Sequence, residues 1–249
     1  MHEIFPSAVE NVDSVEIYAA DKRVPPAGRP WVMANMISSI DGAVEIDGLS
    51  GGLGGPADKA IFSAIRGVAD VIIAGVGTVI AENYRRPQTS ERIQQLRVDR
   101  GQSPLPRIAI VSNSWQIDPT HRVFDKDARP LAIAPRRAPA DAMAAIEPVA
   151  DIVYAGDDHV DLPDALSALH KLGANVVLVE GGPMLNAAFV AEDLLDEFCL
   201  SFSPMLAGGN GDRVVGATDK TPALAMTLDR VLHQDSFVFY RYLRNRASA

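Results

Sequence analysis

The stretch Val176-Val177-Leu178-Val179-Glu180-Gly181-Gly182-Pro183-Met184-Leu185-Asn186-Ala187-Ala188-Phe189 decides how the chain is read. Four apolar residues without alternation mark a strand buried on both faces, the kind a parallel sheet makes. The segment from Pro183 onward reads as a helix, and between the two stand a carboxylate and two glycines. In open α/β sheets ligands bind beyond the carboxyl ends of the strands, where the first N–H groups of the next helix point outward at the positive end of its dipole. Gly181 and Gly182 let the backbone turn sharply and let a phosphate approach with no Cβ in the way. Glu180 would repel an anion, so it reads as an acceptor for a ribose, an amide or the local backbone. The same two glycines would also serve a plain strand-to-helix turn.

A second turn of this kind favours the ligand reading. Val71-Ile72-Ile73-Ala74 runs into Gly75-Val76-Gly77-Thr78, again glycines between a buried strand and a helix, with a hydroxyl at the helix start. Two such turns could clasp a dinucleotide. The usual dinucleotide fingerprint is absent, since Ile80 holds the place of its third glycine, and no phosphate-binding G-x-x-x-x-G-K-[ST] loop occurs.

Working outward, Trp31 to Met36, Arg107 to Val111, Leu131 to Ala134 and Ile152 to Tyr154 are further strands. Pro56 to Gly67 and Pro163 to Leu172 carry apolar residues at helical spacing, the first opened by proline and the second closed by Gly173. Glu197 to Ser203, Met226 to Leu232 and Phe237 to Leu243 have strand character, the last two forming a terminal antiparallel pair. The expected fold class is α/β: a mixed, mostly parallel central sheet with helices on both faces and a C-terminal antiparallel hairpin. The segment Tyr84 to Pro106, with Arg85, Arg86, Arg92, Arg97 and Arg100, reads either as a solvated loop or surface helix or as arginines approaching a phosphate.

Composition excludes several classes. In 249 residues, 47% hydrophobic and 22% charged, a formal charge of −9 argues against a nucleic-acid or anionic-membrane partner. No run approaches the ~18 apolar residues of a membrane span, and the N-terminus lacks a signal-like apolar core, so a cytoplasmic protein is expected. Cys199, in an apolar run, is expected to be buried and inert. One cysteine and five histidines show no metal-ligand spacing, so no metal is expected.

Several segments together resemble the reductase domain of the bacterial riboflavin-biosynthesis deaminase/reductase family: Ser38-Ser39-Ile40-Asp41-Gly42, Arg66 with Ala69-Asp70, Gly75 to Val79, Val179 to Gly182, and Asp196-Glu197 with Pro204 to Gly209. They stand in the family's order within residues 30–245. The resemblance implies a dihydrofolate-reductase-like single domain preceded by an extension at 1–29 and followed by a tail at 246–249. It implies NADPH as cofactor, reduction of the ribose of 5-amino-6-(5-phosphoribosylamino)uracil, and a homodimer. On it, Gly75, Gly77, Thr78, Glu180, Gly181, Gly182, Pro183 and Met184 hold the cofactor, with Ser112 and Ser114 near its adenosine end. Asn35, Ser39, Asp41, Asp58 and Arg66 face the substrate. The partner deaminase needs H-x-E and P-C-x-x-C, which this chain lacks.

Three positions depart from the family pattern: Asn35 replaces a lysine, Glu82-Asn83-Tyr84 replaces an Asp-Asp-Pro run, and Asp58 is acidic. Asp58 reads either as a helix cap or as a partner for the amino-pyrimidine edge of a pteridine, which makes a dihydrofolate or pteridine reductase the second reading. Gly48-Leu49-Ser50-Gly51-Gly52 fits G-x-S-x-G, but no helix can follow Ser50 directly as a nucleophile elbow requires, so Gly48 to Gly55 reads as a flap. The remaining alternative is a non-catalytic NADPH-binding sensor.

Overall fold

The computed structural model describes residues 1–209, 211–216 and 223–246. Among them the chain forms ten strands and seven α-helices, in two compact units, one of residues 1–22, 32–68 and 179–249, the other of residues 23–31 and 69–178.

The second unit holds β3 (Val71–Gly75), β4 (Arg107–Val111), β5 (Leu131–Ala134), β6 (Asp151–Tyr154) and β7 (Val176–Val179), in the spatial order β7-β3-β4-β5-β6. β3 pairs in parallel with β4, β4 with β5, and β5 with β6. Every residue of β5 and β7 is buried, as expected for strands covered on both faces. The helices here are α3 (Val76–Ala81), α4 (Glu91–Asp99), α5 (Ala140–Ile146) and α6 (Leu162–Lys171). α6 forms because Leu162, Ala165, Leu166 and Leu169 make one buried stripe and Asp161 caps its start, accepting from Asp164 N at 2.8 Å.

α4 corrects the surface reading of the arginine-rich segment at one residue. Arg97 is fully buried, donating from Nε to Ser103 O at 2.8 Å and from Nη1 to Ala69 O at 2.5 Å. Burial lowers its guanidinium to about 10. Asp70, the next residue of the same motif, accepts from Asn175 N and Val176 N at 2.8 and 2.9 Å and so fixes the start of β7.

The first unit holds β1 (His2–Phe5), α1 (Ser14–Ala20), β2 (Trp31–Ser39), α2 (Pro56–Arg66), α7 (Pro183–Ala191), β8 (Glu197–Ser203), β9 (Met226–Gln234) and β10 (Phe237–Arg244), its strands in the order β1-β9-β10-β8-β2. β2 and β8 are parallel, whereas β8-β10, β10-β9 and β9-β1 are antiparallel, so the expected C-terminal hairpin is present. α2 begins at Pro56 and buries Ala57, Ile61, Ala64 and Ile65, each isoleucine contributing about 2 kcal/mol by leaving water. Ser50 to Gly52 is a single 3-10 turn, with no helix behind Ser50 to make it a nucleophile. Residues 247–249 of the expected tail lie outside the described residues.

β8 inverts the usual alternation. Glu197, Cys199, Ser201 and Ser203 point inward, while Phe198, Leu200 and Phe202 are only half-buried. The outward row lies opposite Tyr242, Tyr240 and Val238 of β10. Phe202 meets Tyr240 edge-on at 5.6 Å and Tyr240 stacks on Tyr242 at 5.9 Å.

Candidate active site

The opening stretch folds as expected: β7 ends at Val179 and α7 starts at Pro183. Gly181 stands at φ +87°, a left-handed conformation that only glycine adopts freely, and a Cβ there would lie 3.4 Å from the Met36 thioether. The Gly181–Gly182 peptide is cis. Gly182 heads α7 with no side-chain cap, and among the described residues no side chain accepts from its first-turn amides; α1, α4 and α6, by contrast, are capped by Asp13, Ser90 and Asp161.

Glu180 behaves differently from the expectation. Its carboxylate takes a two-pronged ion pair from Arg66, with Nε at 2.7 Å from Oε1 and Nη2 at 2.6 Å from Oε2. Glu180's side chain is 2% exposed and that of Arg66 17%. The guanidinium also lies over the Phe62 ring, 4.1 Å from its centroid. Two residues placed on different ligands by the resemblance are thus each other's partners, across 114 positions of sequence.

Beyond the end of β2 the chain turns tightly through Asp41 and Gly42, Gly42 at φ +94°. Ser39 Oγ donates to Asp41 Oδ1 at 2.5 Å, Ala207 N to Oδ1 at 3.1 Å and Gly208 N to Oδ2 at 2.7 Å. The Ser39 bond, then these two amides, hold the carboxyl down at about 2. Asp41 is therefore a permanent anion that ties the turn to the 205–208 loop, and it is unsuited to donating a proton. The expected flap contributes no side chain to this tether.

Asp41 and Ser38 line a cavity of about 540 Å³ in the first unit, together with Leu200 and Phe202 of β8, Gly208 and Arg213. That volume is in the range that holds a small ligand or one ring system of a cofactor. The far wall, Val214 and Val215, is docked on α7: Asn186 Nδ2 donates to Val214 O at 2.8 Å and Gly216 N to Pro183 O at 2.9 Å. Leu200, Phe202, Arg213 and Val214 escaped the sequence reading because only long-range pairing assembles them; the glycines at 208, 209 and 211 were the one local signal.

Asn35 is buried on β2, and its Oδ1 has no partner among the described residues. Asp58 lies in the first turn of α2, where an acid complements the helix dipole, while Gly55 holds the N-cap position. Asp58 accepts from Ser201 of β8, and burial raises its pKa, which that hydrogen bond only partly offsets.

In the second unit Gly75 heads α3 without a side-chain cap and a Cβ on Gly77 would meet open space, while Thr78 lies in the first turn. Ser112 Oγ accepts from Ser114 N and Trp115 N at 3.2 and 2.9 Å, so that oxygen is engaged in holding the turn after β4. Asn113, between the two serines, accepts from Val160 N at 2.8 Å.

Fold and site together define an α/β protein with a ligand-sized cavity beside a glycine-headed helix start. The profile of the RibD C-terminal domain family matches residues 30–238, and the chain belongs to that family. A 2,5-diamino-6-ribosylamino-4(3H)-pyrimidinone 5′-phosphate reductase of Archaeoglobus fulgidus is 28% identical over 188 residues, 75% of this chain and 86% of the relative. The reductase of the same name from Methanothermobacter thermautotrophicus is 28% identical over 218 residues, 85% of this chain and 98% of the relative. A pyrimidine reductase-like protein of Corynebacterium diphtheriae shares the fold, with a TM-score of 0.84 over 94% of this chain and all of that one at 23% identity. These reductase relatives imply an oxidoreductase. No helix among the described residues is long and apolar enough to cross a membrane, and those residues include no metal-binding cluster.

Proposed function

We propose that the protein is an NADPH-dependent reductase of a ribosylaminopyrimidine phosphate. The observation that carries this reading is the uncapped, glycine-headed start of α7 beside the 540 Å³ cavity, in a chain whose reductase relatives are matched over nearly their whole length. The residues fit a nicotinamide dinucleotide: Gly181 keeps Met36 clear of any Cβ, and the first turn of α7, which Gly182 leaves without a side-chain cap, suits a phosphate. The cofactor would supply a hydride. The chain's own task is placement: Leu200 and Phe202 exclude water, and Asp41 fixes the 205–208 loop. Because Asp41 stays ionised, the proton that completes the reduction comes from water or another acid.

The names of the relatives favour the diaminopyrimidinone over the deaminated uracil as substrate. The half-buried row Phe198, Leu200, Phe202, Tyr240 and Tyr242 supports a homodimer through the outer face of β8 and β10. The test is oxidation of NADPH and of NADH by the purified protein with each pyrimidine phosphate, sedimented in parallel. Turnover with NADPH and the diaminopyrimidinone, at dimer mass, is expected; absence of turnover with both pyrimidines would sink the reading.

A second reading, a pteridine reductase, is favoured by Asp58 alone, a half-buried acid in the first turn of α2 beside Ser201 of β8. A carboxyl whose pKa is raised on folding favours the fold below its unfolded pKa and loses that contribution as pH rises. Asp58→Asn is therefore expected to raise the melting temperature at pH 7 and to leave it unchanged in acid. If a pteridine pairs with Asp58, the same variant loses roughly a hundredfold in dihydrofolate turnover, about tenfold for each of two charge-assisted bonds. Unchanged turnover would remove Asp58 from any substrate contact.

A further inference from the structure

Of the nine side chains of α7, from Pro183 to Ala191, Asn186 is the one that is polar, and it is fully buried, like Ala187 and Phe189. An amide taken out of water costs stability unless its donors and its acceptor are all met. Asn186 Nδ2 donates to Val214 O at 2.8 Å, whereas Oδ1, also buried, has no partner among the described residues. The bond to Val214 fixes which way the amide faces, because a carbonyl can only accept. Leucine has nearly the same shape and no polar atoms, so by burial alone it would serve the helix better. A residue that is poor for stability at a packed position is characteristic of a functional site.

The neighbours of Asn186 indicate its task. Val214 belongs to the wall of the 540 Å³ cavity, and a Cβ built on Gly181 would lie 3.6 Å from Asn186 Nδ2, so the amide borders both the wall and the glycine turn. The strap of residues 211–216 has a second tether, Gly216 N donating to Pro183 O at 2.9 Å. A Cβ on Gly216 would lie 3.1 Å from Pro183 C and O and 3.2 Å from Met184 Sδ, so strap and helix meet backbone to backbone. Val214 and Val215 are only half-buried, and apolar packing alone therefore holds the strap weakly. We propose that Asn186 is a positioning residue, which holds Val214 against the first turn of α7 and so sets the distance between the cavity wall and the Gly181–Gly182 turn. It acts on the reaction through Val214 and Val215. A strap docked for only part of the time leaves the cavity competent for that fraction, and apparent affinity falls in proportion. The kinetic consequence rests on the reductase reading, whereas the docking itself does not.

The test compares Asn186→Leu and Gly216→Ala with the parent, as whole chains, by melting, limited trypsinolysis and turnover of the diaminopyrimidinone phosphate with NADPH. Arg213 is exposed, and cleavage after it, identified by fragment mass, reports how often the strap leaves α7. Asn186→Leu is expected to melt at or above the parent's temperature and to be cleaved at Arg213 roughly five to ten times faster, as loss of one hydrogen bond allows. KM for the pyrimidine should rise by a similar factor, with a much smaller change in kcat. Gly216→Ala, whose added methyl meets Pro183 and Met184, should give the same cleavage and KM while leaving α7 unaltered. A purely structural asparagine would instead lower the melting temperature and speed cleavage at every site alike, which would overturn the proposal. Unchanged cleavage at Arg213 in both variants, or faster cleavage with KM unmoved, would overturn it as well. If parent and variants all fail to turn over the pyrimidine, the reductase reading falls, and the Arg213 cleavage rate still decides whether Asn186 holds the strap.

Discussion

Replacing Arg66 by methionine should destabilise the protein by about 3 kcal/mol, whereas Glu180→Gln should cost about 1 kcal/mol. The asymmetry follows from burial. Glu180 has 2% of its side chain exposed, so removal of Arg66 takes away both guanidinium bonds from a carboxylate that water cannot reach. Arg66 is 17% exposed and lies over Phe62, so it retains solvent and an aromatic face when Glu180 loses its charge. Urea midpoints at constant slope would measure both effects. Equal costs for the two variants would show that the pair is as hydrated as a surface bridge. The functional corollary concerns placement: Glu180 precedes the Gly181–Gly182 turn, so a loosened Glu180 should raise KM for the nicotinamide cofactor before it lowers kcat.

That pair also marks where sequence reading stopped. Strands β3, β4, β5 and β7 were legible because burial on both faces requires continuous apolar runs, and α2 because Pro56 and the Ile61, Ala64, Ile65 stripe are local signals. β2 runs three residues past Met36 because Ile37 to Ser39 continue the parallel ladder with Ser201 to Ser203, and two serines hid that extension. β1 has only four residues and owes its existence to pairing with β9, some 230 positions away, so no local pattern could reveal it. α4 lacks an apolar stripe and was legible only as an arginine-rich segment.

Of the site, the glycine turns and the Asp41 turn were local and readable. The partners of Glu180, Asp41 and Asp58 were not, since each is brought in by tertiary pairing. Several residues of the shared motifs turn out to serve the frame: Asp70 fixes the start of β7, and Asp196 accepts from Val32 N at 2.9 Å at the start of β2.

Glu197, the neighbour of Asp196 in the same motif, leads to the other large effect. Its side chain is fully buried and is gripped by Arg241, Nε to Oε1 at 2.8 Å and Nη2 to Oε2 at 3.2 Å, while Arg241 Nη1 also donates to Asp229. Asp21 lies 3.4 Å from Arg241 Nε and is itself paired with Arg230, which reaches Glu3 at 3.5 Å. Burial works against the Arg241 charge, but Glu197 and then the two aspartates outweigh it and hold the guanidinium above its ordinary pKa. Four carboxylates thus share two guanidiniums in the packing between β8, β9, β10 and α1. Arg241→Met removes the central cation and leaves Glu197 buried among like charges, so a loss of about 3–5 kcal/mol is expected, equivalent to roughly 10 °C in melting temperature for a chain of this size. Arg241→Lys keeps the charge but not the fork and should fall about midway. Neither residue lines the 540 Å³ cavity, so turnover per folded molecule should survive in both variants at temperatures below their melting. A lysine variant as unstable as the methionine one would mean that fork geometry, and not charge, holds β8 to β10; a methionine variant within about 1 kcal/mol of the parent would mean that water already neutralises the cluster.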